Sequence, residues 1–141
     1  MMLALDENHV HLFALRVMKL TDVSSIVAKY HSSLDFLRGR HILRRDMPLC
    51  YCGREMTEIK RSDQSHDLTC FRCLSHKGHE VSVRDGSLLK RHNISLGDFI
   101  LVVYLWAFET PNNVAAQMIG LSQNSHTVVF LHARRLLSVP C

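Results

Sequence analysis

Cys50-Tyr51-Cys52-Gly53 and Cys70-Phe71-Arg72-Cys73 place two cysteine pairs seventeen residues apart, close to the two-turn spacing that closes a zinc ribbon. Zinc takes four soft or borderline donors in a tetrahedron, and two tight turns that each present thiolates supply them without a large core. Gly53 lets the first turn bring its amides toward the sulfurs. The first pair has one spacer residue rather than two, which strains the chelate: Cys50, Cys52 and Cys73 form the common set, Cys70 is the expected fourth donor, and His76 or His79 is its substitute if the first hairpin is shifted. Four protein donors leave no position for substrate, so the expected metal is structural and no catalytic residue is assigned. The zinc deaminase signature is also missing, since no H-x-E precedes a P-C-x-x-C. Buried thiols without metal, or a disulfide framework, are the plainer readings of the same cysteines.

A second set of residues is suited to holding a polyanion. Residues 38–92 carry twelve Lys/Arg against seven Asp/Glu, residues 1–37 carry three against four, and residues 93–141 carry two against two. The excess that gives the chain its net charge of +4 therefore lies in the cysteine-bearing third, where Arg84, Lys90 and Arg91 are candidate phosphate contacts. The run Arg38, Arg40, Arg44, Arg45 is read first as a solvated face. Near the carboxyl end, a helical wheel of the last segment puts His126, Val129, Ala133, Leu136 and Leu137 on one side. Gln123, Asn124, Thr127, Arg134 and Arg135 fall on the other, with Val128 and Leu131 among them, and there amides can read base edges and guanidinium groups can hold phosphates.

The elements that must position these residues follow from periodicity. Val10, Phe13, Val17, Leu20, Ile26, Val27, Tyr30, Leu34 and Leu37 recur at helical spacing over residues 9–45, with Thr21 or Asp22 as cap of a second helix. Thr57-Glu58-Ile59 and Val81-Ser82-Val83 read as short strands among polar turns. Ser95 is expected to cap an apolar helix through Phe108, Pro111 to open the next, and Gly120 to end it before a third helix capped by Ser122. The resulting expectation is a small α+β chain in three parts: helices in 1–45, a zinc ribbon in 46–92 and a three-helix helix-turn-helix in 93–141. Its longest apolar run, Phe99 to Phe108, is half of the ~20 residues a membrane span needs, so no membrane partner is expected. The absence of a secretory leader, together with clustered cysteines, points to a reducing compartment.

Taken in order, these pieces resemble the amino-terminal part of Merlin-type DDE transposases and their bacterial insertion-sequence relatives. Leu34-Asp35-Phe36-Leu37 is similar to the family's helix ending in Phe-Leu, and Cys52-Gly53-Arg54-Glu55-Met56 to its C-G-x-x-M. Phe71-Arg72-Cys73 resembles W-R-C, Ser82-Val83-Arg84-Asp85-Gly86-Ser87 resembles S-[IV]-R-x-G-S, and Tyr104-Leu105-Trp106 resembles Y-x-W. Gly120-Leu121-Ser122 opens the family's recognition turn, and Arg134 aligns with its helix arginine. The likeness spans about residues 30–138, and the family's catalytic domain would begin beyond that point. It implies a truncated or domesticated transposase-derived protein, with structural zinc and no enzymatic activity. Its expected partners are double-stranded DNA, transposon terminal repeats among them, and a full-length transposase. The expected location is the nucleus in a eukaryote and the cytoplasm otherwise. The alternative is a zinc-stapled interaction module that docks an acidic protein.

Overall fold

The computed structural model describes residues 18–61, 66–76 and 78–120. Helix α1, Leu20–Val27, buries Val23 and turns Ile26 and Val27 toward the core. It starts from an extended Lys19, whose carbonyl accepts the Asp22 and Val23 amides, so the start lies just before the expected Thr21 or Asp22 cap. Asp22 in the first turn complements the helix dipole. The second helix expected from Thr21 or Asp22 onward breaks at Lys29, which is extended, and α2 runs from Tyr30 to Gly39. Ser32 and Ser33 explain the break, because both hydroxyls donate to the Ile26 carbonyl, at 2.7 and 3.0 Å, and satisfy the end of α1. α2 buries Ser33, Leu34 and Leu37 and stops short of residue 45.

Three strands follow: β1, Thr57–Lys60; β2, Thr69–Arg72; and β3, Glu80–Ser82. They form an antiparallel sheet in the order β1-β2-β3, with Phe71 opposite both Glu58 and Val81. The expected strands at Thr57 and Val81 are present, whereas the central strand occupies the stretch read as a cysteine turn. Arg38 of α2 donates to both carboxylate oxygens of Glu58, at 3.1 and 2.9 Å, with its guanidinium over the Phe71 ring. One member of the arginine run thus clamps a helix to the sheet. A short 3-10 helix, Leu88–Arg91, leads to α3, Leu96–Ala107.

Ser95 caps α3 as its sequence predicts, accepting the Asp98 amide at 3.1 Å. α3 is buried broadly, through Leu96, Phe99, Ile100, Val102, Val103, Tyr104 and Ala107, because other helices cover it on several sides. Gly97 sits where a Cβ would lie 3.1 Å from the Val27 carbonyl, so a side chain there would push α1 off α3. α4, Asn112–Ile119, is capped by Pro111 and ends at Gly120, whose φ of 83° is left-handed and whose amide returns to the Ala116 carbonyl at 2.8 Å. The third helix expected after Ser122 lies outside the described residues.

Leu34 and Leu37, Met56, Phe71 and Val83, and Leu96, Phe99 and Val103 all belong to one buried cluster. The segment that carries the cysteine turns therefore shares one core with the helices on either side. Among the described residues, no helix is long and apolar enough to cross a membrane.

Candidate metal centre

The first turn is built on an antiparallel bridge between Leu49 and Glu55. The Cys50 amide donates to the Arg54 carbonyl at 2.8 Å, and the Gly53 amide donates to the Cys50 carbonyl at 2.9 Å. Gly53 closes this loop with a φ of 87°, a conformation that favours glycine. The Met56 amide then donates to the Pro48 carbonyl, and its side chain is buried beneath the turn. The second turn begins as β2 ends. Cys73 donates its amide to the His79 carbonyl at 3.3 Å, and the His79 amide donates to the His76 carbonyl at 2.8 Å. Arg54 ties the two turns together by donating to the Ser75 hydroxyl at 2.7 Å.

Between the turns, one donor atom from each of Cys50, Cys52, Cys73 and His76 lies within 4.8 Å of every other. The Cys52 and Cys73 sulfurs are 3.7 Å apart, and His76 Nδ1 is 3.8 Å from both the Cys50 and the Cys73 sulfur. Zinc–sulfur bonds of about 2.3 Å and a zinc–nitrogen bond of about 2.0 Å give tetrahedral edges of about 3.8 Å between sulfurs and about 3.5 Å between sulfur and nitrogen. The donor set and its spacing fit a tetrahedral metal of borderline softness.

The electrostatics are uneven. The Cys73 thiol is lowered to about 6, first by the hydrogen bond with His76 and then by the backbone amides of His76 and Ser75, against the opposing effect of burial. Burial pushes the Cys50 thiol up, with the Cys52 amide working the other way. Tyr51 covers the site from outside, its ring centroid 4.8 Å from that of His76 and 4.9 Å from that of His79.

Of the residues expected at the metal, Cys50, Cys52, Cys73 and His76 are brought together, and Cys70 is not. Cys70 lies inside β2, opposite Ile59 and Ser82 and three residues before Cys73. Strand alternation sends residues an odd number apart to opposite faces, so the C-x-x-C pair cannot converge while β2 stays extended. Cys70 is buried but stands outside the cluster that holds Phe71 and Cys73. His79 places Nδ1 3.1 Å from the Cys50 sulfur and is not one of the four converging donors.

The expected phosphate contacts fare differently. Arg84 is a correction: it is 6% exposed, and its guanidinium donates to both Asp67 oxygens, at 2.7 and 2.9 Å, and to the His92 and Ile94 carbonyls. An arginine so engaged binds the turn after β3 to the start of α3 and is not presented to a ligand. The signal for this was Asp67, an acidic residue just before β2 that the sequence reading passed over. Lys90 is exposed, with its ammonium 2.6 Å from Asp85. Arg91 closes the 3-10 helix. Gln123, Asn124, Thr127, Arg134 and Arg135 lie outside the described residues. Comparison with family models, with curated proteins and with solved structures returned no match for this chain.

Proposed function

We propose that the chain is a DNA-binding, transposase-derived module in which structural zinc staples a small ribbon beside a helix-turn-helix. The observation that carries the reading is the convergence of Cys50, Cys52, Cys73 and His76 from two turns of a three-stranded antiparallel sheet, within the most cationic third of the chain. Four protein donors fill a tetrahedron, so zinc here would fix the two turns relative to each other and take no part in turnover. Arg45, Arg54 and Lys60 are exposed on the same third, while Glu58 and Asp67 are engaged internally by Arg38 and Arg84. Those two pairs cancel internally, so the excess of positive charge in this third is carried by its other cations. α3 and α4, closed by the left-handed Gly120, supply the first helices of a helix-turn-helix, and the segment carrying Gln123, Asn124, Thr127 and Arg134 would follow as the reading helix.

Electrophoretic mobility shift against duplex DNA at graded salt tests this reading. Binding should weaken linearly on a log–log plot, with a slope near ~0.9 per phosphate contact, and duplex bearing transposon terminal repeats should compete better than scrambled duplex. Affinity that does not change with salt would exclude a phosphate-led interface.

A second reading is favoured by one specific observation. Leu49, Tyr51 and Leu74, on the two metal-site turns, are 66%, 75% and 69% exposed. Large apolar side chains beside exposed Arg54 suit an acidic protein partner. The same mobility shift separates the two readings, because a module that docks an acidic protein would leave the duplex unshifted.

A further inference from the structure

His79 stands against the site without belonging to it. Its Nδ1 lies 3.1 Å from the Cys50 sulfur, shorter than the edge of about 3.5 Å that a sulfur and a nitrogen keep when both bind one zinc. The distance is within hydrogen-bond range, and with Nδ1 protonated the ring donates to the sulfur. The ring has little freedom to leave: the His79 amide and carbonyl are both engaged in the second turn, and Tyr51 packs on the imidazole.

At Cys73 the hydrogen bond with His76 and then the amides of His76 and Ser75 favour the thiolate. At Cys50 the Cys52 amide favours the thiolate against the effect of burial. A zinc held by three thiolates and one neutral imidazole carries a net negative charge, and every N–H aimed at a sulfur spreads that charge. We infer that His79 is a positioning residue which donates Nδ1–H to the Cys50 thiolate. This rests on the metal reading above and adds to it: the site needs five residues, four that ligate and one that holds a ligand. It also gives His76 and His79 distinct roles, although both follow Cys73 closely in sequence.

Cobalt(II) titration of the purified chain, followed by its visible and near-ultraviolet absorption, tests the assignment. His79→Ala should keep the tetrahedral d–d bands, shift the thiolate-to-cobalt charge-transfer band, and bind cobalt roughly 10–100-fold more weakly. His79→Asn, whose amide N–H stands near the place of Nδ1, should recover most of that loss, and this recovery separates a lost hydrogen bond from a disturbed fold. His76→Ala should lose the tetrahedral bands. Unchanged affinity and spectrum in His79→Ala would overturn the inference. So would loss of the tetrahedral bands in His79→Ala with their retention in His76→Ala, since His79 would then be the ligand. Wild-type protein that takes up no cobalt would instead overturn the metal centre itself, and the two failures are read in different samples.

Discussion

His76 supplies the one nitrogen among three sulfurs, so replacing it with Ala leaves an incomplete tetrahedron. Bound zinc in His76→Ala, measured by native mass spectrometry, should fall well below one per chain, whereas Cys70→Ala should keep its metal because that side chain sits on the far face of β2. Arg84 and Asp67 call for a different outcome. Arg84→Ala strands a buried carboxylate and should cost about 3–5 kcal/mol in chemical denaturation. Tyr30 gives the residue scale its pH signature. Its phenol donates to or accepts from the Thr69 hydroxyl at 2.9 Å, and burial raises its pKa above the ordinary 10.0. A group raised on folding contributes stability that is complete below its unfolded value and is lost as pH climbs through the folded one. Wild-type stability should therefore fall above pH 10, and urea titrations of Tyr30→Phe should show a shallower alkaline decline.

At the scale of elements, the left-handed Gly120 and the close-packed Gly97 set how α4 ends and how near α1 comes to α3. Gly120→Ala forces a Cβ into a left-handed turn and should lower thermal stability by about 1–2 kcal/mol. The elements were legible where one local rule decided them. Ser95 before an apolar run marks the start of α3, and glycine after Ile119 marks the end of α4. β2 was hidden because Cys70-Phe71-Arg72-Cys73 carries a metal-turn spacing on a stretch whose two neighbours, β1 and β3, pair with it as an extended strand. The break between α1 and α2 was hidden as well, since apolar periodicity runs straight across it and only the hydroxyls of Ser32 and Ser33 interrupt it. Of the four donors that converge, Cys50, Cys52 and Cys73 were legible in the cysteine spacing. The fourth depended on whether the chain was strand or turn at residue 70, which spacing does not decide.

Across the whole molecule, the metal-site turns and the helices draw on one buried cluster, so metal and core are expected to act together. Met56, Phe71 and Cys73 pack in the same cluster as Leu34, Leu37, Leu96 and Phe99. Chelation should accordingly lower the midpoint of the entire thermal transition, followed by far-ultraviolet circular dichroism, and should not peel one segment away first. The DNA-binding proposal also belongs to this scale, because the charge that would hold phosphate is a property of residues 38–92 taken together. It presupposes that the two turns are fixed by their four donors. The most direct test of that claim is X-ray absorption at the zinc edge on the purified, zinc-loaded chain. One zinc with three sulfurs at about 2.3 Å and one nitrogen at about 2.0 Å is the predicted result, and four sulfurs, or a metal bound mainly by oxygen, would contradict it.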